Sequence, residues 1–194
     1  MLKESYSPLD ADRFALAWSP SQRGSKRQAV ELGQELVRDG YKPAHLLMGL
    51  IYEFGGDGIE VDLSKAVDHY RMTAYAIPSP IGYIHLARAL MKKGKESYPE
   101  ALRYLKEADR EGATPELNLA YAKYYEPASV PDYATAQQHY LKAALRGRFM
   151  GFFGYATMSR RLGQHFRALL VDCTRTALGP FIFLLLGKTA RKGF

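Results

Sequence analysis

Five histidines (His45, His69, His85, His139 and His165), one cysteine (Cys173), the run Gly55-Gly-Asp-Gly58 and the charged stretch Lys106–Glu111 are where this 194-residue chain could gather chemistry. None of them has the company a reaction needs. A nucleophile requires a base within hydrogen-bond reach and a third group to orient that base, and no such set converges in the pattern. A lone cysteine closes no internal disulfide and builds no thiolate zinc site. The glycine run lacks both the following Gly-Lys-Ser/Thr and the preceding strand of a phosphate loop. Glu107, Asp109 and Glu111 alternate with Lys106 and Arg110, the pattern of a solvated helix face. The expectation is a chain with no catalytic residue, no cofactor and no metal.

The chain has material for a core, with 47% apolar and 24% charged residues, which excludes bulk disorder. Its net charge of +7 is unevenly placed. Residues 1–141 hold 17 Lys and Arg against 19 Asp and Glu, whereas residues 142–194 hold ten basic residues against Asp172 alone. Such asymmetry points to an acidic partner or an anionic surface at one end. Arg146, Arg148, Arg160 and Arg161 accompany no nucleic-acid module, which argues against nucleic acid. The first residues carry no apolar run of signal-peptide length, so the expected location is the cytoplasm, with no signal peptide.

The elements that position these residues follow from an internal repeat. Segments 62–77, 97–112 and 132–147 align without gaps at a spacing of 35 residues. Ala66, Ala101 and Ala136 coincide, as do the rings of His69, Tyr104 and His139, and the small residues Thr73, Ala108 and Ala143. Offsets of three, seven and eight from the alanine share one helical face. Weaker copies lie at 25–40 and 164–179. Ser25, Asp62, Ser97 and Asp132 are helix-start residues, and Gly40, Gly112, Gly147 and Gly179 are helix-end residues. Each copy is therefore the second helix of a hairpin, and the first helices are expected at 10–18, 44–54, 81–92, 115–125 and 149–161. Period and pattern give an all-α fold: a right-handed α-α superhelical solenoid of about five helix-turn-helix repeats over 1–179.

Ala44-His-Leu-Leu-Met-Gly-Leu-Ile-Tyr52, followed by Gly55, Gly58-Ile59, Asp62, Lys65-Ala66, Tyr70 and Ala74, resembles the Sel-one-like repeat, a relative of the tetratricopeptide repeat. One extra residue in the glycine-rich turn departs from that pattern. The third copy matches through Asp132, Ala136, Tyr140, Ala143-Ala144 and Gly147, and the second lacks the aspartate. The resemblance covers residues 44–147. It implies repeat-structural roles for Ala44, Gly49, Tyr52, Ala66, Tyr70, Ala101, Tyr104, Gly112, Ala136, Tyr140 and Gly147. It also implies a bacterial protein–protein interaction scaffold or adaptor, and leaves the protein partner unnamed.

Beyond the last copy, Pro180-Phe-Ile-Phe-Leu-Leu-Leu186 is the most apolar stretch and is followed by a basic tail. It is far short of the roughly 20 residues a spanning helix needs. Extending it back to Ala168 takes in Asp172 and Arg175, at about 2.5–3.5 kcal/mol each in a membrane centre. Three roles remain open for 180–194: a cap on the solenoid, a docking strip for another chain, or attachment to an anionic membrane. The contact residues for the last two are Arg160, Arg161, Phe181, Phe183, Leu185, Lys188, Arg191 and Lys192. The leading expectation is a cytosolic scaffold whose groove, lined by the first helices, receives a peptide or helix. The alternative is an adaptor peripheral to the inner membrane.

Overall fold

The computed structural model describes residues 8–23, 26–127, 131–174 and 176–177. The described residues contain no strand and are helical hairpins in series: α1 (Pro8–Arg23), α2 (Lys26–Arg38), α3 (Ala44–Phe54), α4 (Leu63–Ala76), α5 (Pro80–Lys93), α6 (Tyr98–Glu111), α7 (Pro115–Tyr125), α8 (Tyr133–Leu145), α9 (Met150–Arg161) and α10 (165–174). Helix starts are set by local chemistry. Asp62 and Asp132 accept from the backbone N–H of Lys65 and Thr135, each at 2.9 Å, at the starts of α4 and α8. Ser79 and Thr114 do the same for α5 and α7, where Pro80 and Pro115 occupy the first helical position, a place where the missing N–H costs nothing. Ser97 is not a cap. It closes a 3-10 turn (Lys95–Ser97) from which α6 runs on directly. Ser25 lies outside the described residues, and α1 is longer than the 10–18 expected.

The described residues fall into two compact units, within Met1–Glu111 and within Gly112–Phe194, and segment 180–194 lies outside the described residues. In the first unit, Ala17, Ala29, Leu36, Ala44, Leu47, Met48 and Ile51 form a core cluster, with Phe14 packed on Tyr41 at a centroid distance of 5.5 Å. In the second, Ala122, Ala136, Tyr140 and Met158 cluster, flanked by Leu119, Tyr125, Tyr133 and Tyr155. The 35-residue register holds at atomic detail: Ala66, Ala101 and Ala136 are each 0% exposed. Two glycines, in α3 and α9, lie against rings of the neighbouring second helix. A Cβ on Gly49 would lie 2.5 Å from Tyr70 Cε1, and one on Gly154 would lie 2.3 Å from Tyr140 Cδ1.

Candidate interaction surfaces

Three of the histidines that the sequence offers as candidate chemistry, His45, His69 and His139, belong to a recurring slot between the two helices of a hairpin. His69 of α4 stacks on Tyr52 of α3 at 5.7 Å, and its Nδ1 is 3.0 Å from Nδ1 of His45. In the third copy His139 stacks on Tyr125 at 5.9 Å, and its Nδ1 is 3.2 Å from Asn118 Oδ1. In the second copy the slot holds Tyr104 against Tyr83 at 6.2 Å. Imidazole on imidazole, phenol on phenol and amide on imidazole thus fill the same place. Burial, then the neighbouring His45, pushes His69 down to about 4, with Asp68 opposing, and burial also lowers His45. Rings held neutral and half-buried in this way serve packing. Among the described residues no group of three or more His, Cys, Asp or Glu is placed to hold a metal.

A second recurring device joins the end of the first helix to the second in two of the hairpins, α3–α4 and α7–α8. Tyr70 Oη donates to the buried Glu53 at 2.7 Å, and Lys92 Nζ donates to the other carboxylate oxygen at 2.5 Å. In the third copy Tyr140 Oη donates to Glu126 at 2.6 Å. Burial, then the carboxylate, raises the Tyr70 phenol far above its usual range; burial, then the hydrogen bond to Glu126, raises Tyr140. The second copy has Leu105 at this position, 0% exposed, and so has no hydroxyl that needs a carboxylate. His85 stacks on the other face of this arrangement, 5.3 Å from the Tyr70 ring, with its Nδ1 buried and without a hydrogen-bond partner. Burial, then Arg88, holds it below the ordinary histidine range.

Of the residues expected to have repeat-structural roles, Ala44, Gly49, Tyr70 and Tyr140 are buried, Tyr52 and Tyr104 are half-buried, and Gly112 and Gly147 follow α6 and α8. Gly55, Gly56, Asp57 and Gly58 all have left-handed φ and form the turn from α3 to α4, with a bridge between Gly56 and Ile59. The turn is fastened from outside: Lys26 Nζ donates to the Gly55 carbonyl. Beside it opens a cavity of about 530 Å³ lined by Tyr52, Ile59, Val61, Asp62, Leu63 and Lys65. Lys65 Nζ stands 5.2 Å over the Tyr52 ring, while Val61 and nearby Phe54 are 57% and 53% exposed.

Arg160 and Arg161 are both exposed, but each has a partner: Arg160 pairs with Asp172, and Arg161 lies 5.9 Å over the Tyr133 ring. Phe181, Phe183, Leu185, Lys188, Arg191 and Lys192 lie outside the described residues. Sequence reasoning missed the Tyr–Glu device and the cavity. The first had a detectable trace, since Tyr52-Glu53 and Tyr125-Glu126 both precede a turn and both face a copy with tyrosine four residues after its alanine. The cavity had none, because it depends on how the glycine turn projects Val61.

Solved structures share this fold, among them two helical repeat proteins. A protective antigen of uropathogenic Escherichia coli strains that displays an SLR fold matches 78% of this chain and 34% of its own, with a TM-score of 0.57 and 23% identity. A Sel1 repeat protein from Oxalobacter formigenes matches 88% of this chain and 73% of its own, with a TM-score of 0.61 and 17% identity. This chain therefore spans about a third of the length of the Escherichia coli antigen. The likeness places the fold among helical repeats of the SLR type. No family model and no curated protein matches the chain.

Proposed function

We propose that this chain is a non-catalytic scaffold that holds another protein through side chains its helical repeats leave exposed. One observation carries the reading: the same interhelical slot takes His45–His69, Tyr83–Tyr104 and Asn118–His139. A position that accepts such different chemistries is used for shape, so its histidines are spent on packing. An apolar group meanwhile stands open at the cavity beside the α3–α4 turn, where the 57% exposed Val61 lines it together with Tyr52, Ile59 and Lys65. An SLR-type fold supports the same role, since stacked hairpins present side chains over a long surface. The docking place is this turn, rather than a groove lined by first helices alone. Specificity then comes from the side chains and not the fold.

The test is an affinity measurement on a partner purified from the cells that make this protein. Val61→Asp should weaken binding at least tenfold without changing the melting temperature, and His69→Phe with His139→Phe should leave the affinity within about twofold. A turnover activity lost in the histidine variants while they stay folded would end the proposal. The adaptor reading through 180–194 concerns residues outside those described. Among the described residues, no helix is long and apolar enough to cross a membrane.

A further inference from the structure

Helix α10, in the second unit, has an outer face unlike that of any other second helix in the aligned copies. Ala168 fills the slot of Ala66, Ala101 and Ala136 and is 1% exposed. Two residues before that alanine the other copies carry Ser64, Pro99 and Ala134, all exposed; here the residue is Phe166, 72% exposed. Two residues after it they carry Asp68, Arg103 and Gln138, again all exposed; here it is Leu170, 51% exposed. Phe166, Leu170 and the exposed Cys173 recur at i, i+4 and i+7, which sets them on one face. Leu169 is a different case. Its register partners Val67 and Gln137 are buried, so one more helix added to the array would cover it. That same helix would leave positions 166 and 170 open, as positions 64 and 68 or 134 and 138 are open.

The stretch of sequence that contains α10 is strongly basic. Residues 142–194 carry ten Lys and Arg against Asp172, and Asp172 is already paired with Arg160. His165 and Arg167 are exposed on either side of Phe166. Large apolar groups on one helical face, bordered by basic residues, suit a lipid interface: the apolar groups enter the acyl boundary while the cations meet anionic headgroups. Positive charge spread over so long a stretch matches an extended anionic surface better than a single acidic side chain. We infer that the outer face of α10, centred on Phe166 and Leu170, docks on an anionic lipid surface. This goes beyond the scaffold reading, which uses a different surface in the other unit.

The test uses the full chain and vesicles of phosphatidylcholine, with or without 30% phosphatidylglycerol. The variant Phe166→Ala with Leu170→Gln copies onto α10 what α8 already carries at Ala134 and Gln138, so it should melt with the wild type. Wild-type protein should sediment with phosphatidylglycerol vesicles, and the partition coefficient should fall at least tenfold in the variant and severalfold in 0.5 M NaCl. Binding that survives unchanged in the variant would overturn the proposal, as would wild-type protein that stays in the supernatant. A wild-type dimer that the variant converts to a monomer, with no vesicle binding, would assign this face to a second copy of the chain and likewise overturn it.

Discussion

Replacing Gly49 with alanine adds one methyl group where the fold has no room for it. The new Cβ would stand 2.5, 2.6 and 3.0 Å from three ring carbons of Tyr70, whereas unstrained carbons approach to about 3.5–4.0 Å. The ring would have to retreat by about 1 Å. It is 0% exposed, its hydroxyl is tied to Glu53 at 2.7 Å, and its face lies 5.3 Å from His85. Overpacking against a fixed neighbour costs about 1–3 kcal/mol, and the upper end applies to a ring held at tip and face. Alanine recovers about 1 kcal/mol in helix propensity. The net loss is about 2 kcal/mol, or a fall of about 4–8 °C in Tm for a chain of this size. Thermal and urea unfolding followed by circular dichroism at 222 nm would measure it. In a Tyr70→Leu background, which copies Leu105 of the second repeat, Gly49→Ala should cost nothing or stabilise by about 1 kcal/mol. A Gly49→Ala protein that melts at or above wild type would refute the packing argument.

Ala101→Leu should lower stability by about 1–3 kcal/mol, because Ala101 is 0% exposed at the helix crossing; an unchanged urea midpoint would count against the shared register. Tyr70→Phe should cost about 1–3 kcal/mol by removing a donor from the buried Glu53 carboxylate, and Tyr140→Phe should cost less because Glu126 is partly exposed; equal losses in the two would contradict the burial argument. Stability should also fall with acidity. His69 binds a proton near 6.5 when unfolded but only at about 4 in the fold, so between those values the unfolded chain takes up more protons and the fold loses stability as pH drops. With the ring half in water and paired with His45, the loss is about 1–2 kcal/mol. His69→Tyr, the residue the second repeat carries, should make this fall shallower in a pH series of urea midpoints, with His45 and His85, also lowered in the fold, supplying the remainder.

The repeat was legible because it is written in small residues and rings at a fixed interval. Ala66, Ala101 and Ala136 announce their crossings, and Pro115 and Tyr125 bound α7 where the pattern puts them. What stayed hidden depends on partners far apart in sequence. Tyr70 reads as one more ring until Glu53 is seen beneath its hydroxyl with Lys92 on the other oxygen. His45 and His69 read as isolated imidazoles until hairpin closure brings their Nδ1 atoms to 3.0 Å. The repeat places α10 in the weak copy at 164–179 but leaves its outer face unread. Phe166 stands out once Ala168 fixes the register and shows which side of the helix faces out.

A chain that holds a partner at the α3–α4 turn should bring that partner within reach of position 61. A photo-crosslinking amino acid at position 61, in the cells that make the protein, tests this most directly, with one at the exposed Glu111 as control. Position 61 should give a discrete protein adduct that is lost when Tyr52→Ala is added, and position 111 should give none. Equal labelling at both positions, or no adduct from position 61, would contradict docking at this turn.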